Sequence, residues 1–259
     1  MKDLDNLKKI AVMIDADNAQ YSKLSGIVSE ISAFGRIVVK RAYGDWSNTN
    51  LKNWKTVLNE LAIQPIQQFS YTSGKNSTDA SLIIDTMDLL YSNKFDAFVI
   101  VSSDSDFTKL ASRLRESEMF VVGVGEKKTP VSFRNACDNF IFVENIGAID
   151  VEEEVVKSKI KNEQKTNAAE ISEVIEVDKD ILELKKLLTT AWDLYKDDDG
   201  WANVSSTGTY IKRLRPDFDP RTYNATKLPE IIENLNKDFE MKKYPGKGTV
   251  NIIAYKPIK

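Results

Sequence analysis

Four acidic residues stand where apolar stretches break: Asp15 closes IAVMID, Asp79 opens DASLIIDTM after Ser77 and Thr78, and Asp104 and Asp106 punctuate VIVSSDSDF. Carboxylates that converge on one crevice repel one another until a cation offsets the charge. If the chain brings these four together, the site calls for a hard divalent ion, Mg²⁺ or Mn²⁺, held by oxygen ligands and acting on phosphate. Asp79 and Asp106 each have a second reading, as helix caps or first-turn acids that favour the helix dipole. Asp15 and Asp104 fit that reading less well, because an acid directly after a buried apolar run must find a partner.

The residues that are missing narrow the chemistry further. The 259 residues contain no His, so a Ser-His or Cys-His couple and a His-ligated zinc site are excluded. Acid–base work falls to Asp, Glu, Lys, water or the substrate. The single Cys, Cys137, rules out an intramolecular disulfide and a multi-Cys metal cluster, and is expected in the core. The opening MKDLDNLKK is charged, unlike a signal peptide, and no apolar run approaches the roughly 18 residues of a membrane span. A soluble cytoplasmic protein with no membrane partner is expected.

The elements that must position these acids follow from periodicity. Apolar runs of strand length (KKIAVMI, RIVVKRAY, IQPIQQF, DAFVIVS, MFVVGVG and FIFVEN) alternate with helical patterns over Tyr21–Phe34, Leu51–Leu61, Asp79–Tyr91, Phe107–Glu116 and Val131–Ala136. Such alternation predicts βαβ units, an α/β fold and a mostly parallel sheet. Ligands of such sheets sit beyond the carboxyl ends of the strands, where Asp15 and Asp104 fall.

Charge divides the chain. Residues 1–149 carry 17 basic and 18 acidic groups, 150–180 carry 5 and 10, and 181–259 carry 14 and 11. The middle segment has no aromatic, Gly or Pro and is expected to be an acidic linker, flexible or transiently helical, between two domains at 1–149 and 181–259. Tight nonspecific binding to nucleic acid is not implied by a chain of net charge −3, so any such binding must be local.

The first domain resembles a known family. IDADN, RAYGDW, SGKNSTD, VIVSSDSDF, VVGVGEKKTP and ACDNFIFVEN are similar, in that order and over about residues 8–147, to the NYN branch of the PIN-like nuclease superfamily. The resemblance implies a Rossmann-like sheet, an acidic pocket for divalent metal, and ribonuclease activity. It makes Asp15, Asp79, Asp104 and Asp106 the metal-binding and catalytic acids, with Asn18 a polar companion in the first loop. Asp17 and Asp85 are less secure. Six helical positions turn Asp85 roughly 120° from Asp79, toward solvent. Lys75, Asn76 and Arg41 are candidates to hold the substrate phosphate, and Trp46 is expected to anchor its loop. A rival enzyme is a phosphohydrolase of the haloacid dehalogenase type, with Asp15 as nucleophile and Asp17 as acid–base, although Asn18 stands where that family has Gly.

At the other end, a helix over Ile181–Lys196, a second from near Val204 to Leu214, a third over Lys227–Asn236 and two strands in FEMKKYPGKGTVNIIAY suggest a small winged-helix-like module. GW at 200–201, Gly208, PDFDPRTY and the KL pair make it similar to the OST-HTH/LOTUS domain, which implies binding of RNA or of a protein partner. Lys212, Arg213 and Arg215, with Arg221, Lys242, Lys243 and Lys247, are the candidate phosphate-tracking residues. Trp201, Phe218 and Tyr223 are expected in its core. The whole reads as a metal-dependent ribonuclease with an RNA-binding module, the third alternative being a regulatory RNA- or protein-binding factor without catalysis.

Overall fold

The computed structural model describes residues 8–69, 77–146, 168–245 and 251–258. They fall into two compact units, Met1–Ile149 and Asp150–Lys259.

In the first unit, the strands are β1 (Lys9–Asp15), β2 (Arg36–Gly44), β3 (Gln64–Gln67), β4 (Ala97–Val101), β5 (Phe120–Gly125) and β6 (Asn139–Phe142). The helices between them are α1 (Leu24–Ser32), α2 (Trp54–Glu60), α3 (Ser77–Tyr91), α4 (Thr108–Glu116) and α5 (Val131–Ala136). All six strands run parallel in the order β3-β2-β1-β4-β5-β6. A sheet of this kind is covered on both faces, which is why AFVIV of β4 is buried at every position instead of alternating. Successive residues of β1 serve opposite cores. Ile10, Val12 and Ile14 pack with Leu24, Ile27 and Ile31 of α1 and Trp54 of α2. Ala11 and Met13 pack with Leu82 and Leu90 of α3, Leu110 and Leu114 of α4, and Phe133 of α5. Cys137 is fully buried in that second core, as expected of it, and burial pushes its thiol up to about 12.

The strand order contains one reversal. From β1 the chain builds outward through β2 to β3, then α3 returns it to the other side of β1, where β4 starts the second half. The connections that leave the ends of β1 and β4 therefore run to opposite faces, α1 on one and α4 on the other, and at such a switch point these folds open a crevice.

The second unit holds α6 (Ala168–Tyr195), β7 (Ala202–Asn203), α7 (Val204–Leu214), α8 (Leu228–Asn234), β8 (Phe239–Pro245) and β9 (Asn251–Pro257). The strands form an antiparallel sheet in the order β7-β9-β8, and Leu184, Leu188, Ile211, Phe218, Ile231, Ile232, Phe239 and Tyr255 make the core of a small winged-helix-like domain. Asn203 caps α7, its side chain accepting from the Ser205 N–H at 2.8 Å. Two details differ from expectation. The first helix begins at Ala168 and not at Ile181, so the last part of the supposed linker is helical. Trp201 is half-exposed beside the sheet and is not part of the core, whereas Phe218 is buried and Tyr223 packs against the core. Among the described residues, no helix is long and apolar enough to cross a membrane.

Candidate metal centre

The crevice is lined from both halves of the sheet. Asp15 is the last residue of β1 and is completely buried. Its Oδ1 accepts from the backbone N–H groups of Asp17 at 3.1 Å and Asn18 at 3.3 Å, which folds the DADN loop back over the strand end. Its Oδ2 accepts from the Asn18 amide at 2.8 Å and from the Ser102 hydroxyl at 2.7 Å. Burial pushes this carboxyl above the usual carboxylate range, against the lowering effect of those hydrogen bonds.

Ser102 follows β4 and ties the two halves together. While donating to Asp15, its Oγ accepts from the Asp104 N–H at 3.1 Å. Asp104 is extended and caps the next turn, its carboxylate accepting from the Asp106 N–H at 2.9 Å. The turn Ser105–Phe107 then sinks the Phe107 ring into the core and leads into α4. This turn carries two acids, Asp104 and Asp106, to the crevice mouth. Gly125, at the end of the neighbouring β5, is required beside them: a Cβ there would come within 2.7 Å of the Ser102 carbonyl oxygen and the Thr129 hydroxyl.

Asp79 arrives from the other side, in the first turn of α3. Ligand oxygens of Asp79, Asp104 and Asp106 all lie within 4.8 Å of one another. Burial, followed by the charges of Asp15, Asp104, Asp106 and Asp17, pushes the Asp79 carboxyl up to about 6. Carboxylates at this spacing, with Asp79 and Asp104 part-buried and Asp106 exposed, offer only oxygen and fit a hard divalent ion, whose charge would favour the ionised form of Asp79 against burial and its acidic neighbours. Asp15 lies outside the trio and contributes its negative charge from beneath.

Other expected site residues are placed differently. Asn18 is in the loop as expected, with its amide committed to Asp15. Lys75, Asn76 and Lys247 lie outside the described residues. Arg41 is not a free phosphate ligand: its guanidinium donates to Asp85 of α3 at 2.5 Å, and the Tyr43 hydroxyl donates to the same carboxylate. That pairing also corrects Asp85, which is half-buried and paired where a solvent-facing role was expected. The geometric reason is that α3 lies against β2, so the face turned from Asp79 meets Arg41 and Tyr43, not water. Trp46 is an anchor, donating its indole N–H to the Ile66 carbonyl at 2.9 Å and packing edge-on against Trp54. On α7, only Arg213 of the three basic candidates is exposed. Arg215 is held by Asp217 and Glu183, each at 3.0 Å, and Lys212 is partly buried, with its ammonium pushed below its usual range by desolvation. The phosphohydrolase alternative needs Asp15 as a nucleophile, yet both its oxygens accept hydrogen bonds in a fully buried setting. Ser102, which sequence reasoning passed over, is the residue that joins Asp15 to Asp104.

Comparison with known proteins agrees with this architecture. Residues 9–146, just over half the chain, match the NYN domain, and residues 171–251 match the OST-HTH/LOTUS domain. The chain belongs to the NYN domain family, within the PIN-like nuclease superfamily, and carries an OST-HTH/LOTUS domain after the NYN domain. Among solved structures it is similar to a protein of unknown function from Vibrio parahaemolyticus, at 18% identity over 53% of this chain and 94% of that one, with a TM-score of 0.45. A second is an uncharacterized protein from Nitrosomonas europaea, at 22% identity over 39% of this chain and 84% of that one, with a TM-score of 0.27. No curated protein matches the chain.

Proposed function

We propose that the protein is a divalent-metal-dependent ribonuclease that hydrolyses phosphodiester bonds at the β1/β4 crevice and holds RNA with its OST-HTH/LOTUS domain. The observation that carries this reading is the trio Asp79, Asp104 and Asp106, with oxygens within 4.8 Å of one another above a buried Asp15. These three side chains would hold Mg²⁺ or Mn²⁺. A bound divalent ion supplies polarisation of water and offsets charge on the phosphate. The chain supplies the geometry. Asp15 fixes the first loop and, through Ser102, the start of the Asp104 turn, so that carboxylates from α3 and from the β4 end face one another. With no His anywhere, protons leave through the carboxylates or solvent.

The test is cleavage of labelled single-stranded RNA, single-stranded DNA and a small phosphomonoester with Mn²⁺, Mg²⁺ or EDTA. RNA should be cut in the presence of metal and spared in EDTA. Asp104→Asn should abolish cutting with the fold intact, because Asn is as good a helix cap as Asp while removing a charged ligand. Cleavage that survives EDTA, or an Asp104→Asn variant as active as wild type, sinks the metal assignment. Hydrolysis of the monoester alone sinks the nuclease.

A further inference from the structure

The second unit carries a basic and aromatic cluster on the face of its sheet that turns away from the core. Register places it. Phe239, Met241 and Tyr255 point inward, so Lys242 and Tyr244 of β8 and Lys256 of β9 point outward. Trp201 precedes β7, whose Ala202 pairs with Tyr255, and this sets the indole on the same outer face as Lys256. The ammonium of Lys242 lies 4.3 Å from the centroid of the Trp201 ring and that of Lys256 lies 4.5 Å from it. Lys242 also stands 5.3 Å from the Tyr244 ring. The indole therefore reaches from β7 across β9 toward β8. Ala254, which lies between Asn203 and Lys242 in the register, is the small residue that leaves it room.

Two ammoniums held beside one ring differ from ordinary solvated lysines. Cation–π attraction fixes their positions, so less side-chain freedom remains to be lost when an anion arrives. The only ion pair of either lysine among the described residues is Lys256 with Glu240 at 3.1 Å, an exposed pair that a phosphate can replace. The helix expected to track phosphate is less well equipped, since Arg215 is engaged by carboxylates and Lys212 is partly buried. Aromatic rings interleaved with lysine on a partly exposed sheet face are the composition that single-stranded nucleic acid uses for its backbone and bases.

We propose that the outer sheet face formed by Trp201, Lys242, Tyr244 and Lys256 is the surface on which the second unit holds a single RNA strand, with the two lysines contacting phosphates and the rings setting their positions. This rests on the RNA-binding reading of that domain given above.

The test uses the full-length chain in EDTA, so that no cleavage intervenes, and a fluorescently labelled single-stranded RNA read by anisotropy over a range of salt. Lys242→Gln with Lys256→Gln should weaken binding about tenfold at low salt and lower the slope of log K against log salt by about 1.4, the release expected from two phosphates. Trp201→Leu keeps both charges but frees the lysines, and should weaken binding less. Arg213→Gln on α7 should weaken binding less than the double lysine variant does. If wild type binds and the double lysine variant binds equally with the same slope, the face assignment falls while the RNA reading stands. Loss confined to Arg213→Gln moves the site to α7 and overturns the proposal. If wild type shows no affinity for the RNA at low salt, the RNA reading falls and the face assignment with it.

Discussion

At the scale of single residues, the crevice trades stability for charge. Asp79 ionises at about 6 in the folded chain against 3.8 ordinarily, so between those values the folded state holds more protons than the unfolded one. Its stabilising protonation is lost as pH rises through 6, and at neutral pH the ionised group opposes folding. A shift of this size has a ceiling of about 3 kcal/mol, and solvent screening of a half-exposed side chain reduces it to about 1 kcal/mol. In chelator at pH 7.5, Asp79→Asn should therefore melt a few degrees higher than wild type. That advantage should vanish near pH 4, and saturating Mn²⁺ should raise the melting point of wild type alone. A variant that melts no higher at neutral pH would show that the crevice, by burial and neighbouring charge, does not disfavour the ionised Asp79. Ser102→Ala tests the bridge: it leaves the Asp104 N–H without its partner and takes from Asp15 Oδ2 one of its two donors, at a cost of about 1–3 kcal/mol, and metal affinity should fall with it. The acids were legible in the sequence because each breaks an apolar run. The bridge was not, because Ser102 and Asp15 are 87 positions apart and meet only if β1 and β4 are neighbours.

At the scale of elements, α3 is the part that makes the site, since it brings Asp79 to residues supplied by β1 and β4. It is seated by the Arg41–Asp85 pair and by the Tyr43 hydroxyl, both reaching from β2. Replacing Asp85 by Ala leaves Arg41 partly buried without its counter-charge, and the expected loss is about 2–3 kcal/mol of stability. Because the same helix carries Asp79, metal affinity measured by calorimetry should also fall, although Asp85 is no ligand. Unchanged metal affinity in a correctly folded Asp85→Ala would mean that α3 is positioned by its apolar contacts alone. Most of these elements could be read from alternating apolar strands and helical runs, and α5 begins and ends as expected. The start of α6 could not. The acidic stretch before Ile181 lacks the aromatic residues of a packed element, but it also lacks any Gly or Pro to stop a helix, and extending an existing helix costs far less than starting one. Pairings such as Asp85 with Arg41 were also hidden, because helical phase gives the direction of a side chain but not what lies there.

At the scale of the whole molecule, each unit has its own apolar centre. The first packs both faces of a six-stranded sheet, and the second closes three helices on a three-stranded one. Units built this way fold separately, so a chain ending at Ile149 should melt cooperatively, gain stability from Mn²⁺ and cleave short oligonucleotides as the full chain does. What should be lost is affinity for longer RNA. On the proposed function, an RNA held by the second unit would be presented to the crevice at an effective concentration set by the chain between them, so truncation should raise KM for long substrates while kcat is kept. For oligonucleotides too short to touch both units, the two chains should be equal. A truncated chain that aggregates or melts without cooperativity would mean that the first unit depends on the second for folding. One that keeps the full chain's KM on long RNA would remove the second unit from substrate binding and leave it a role in contacting protein.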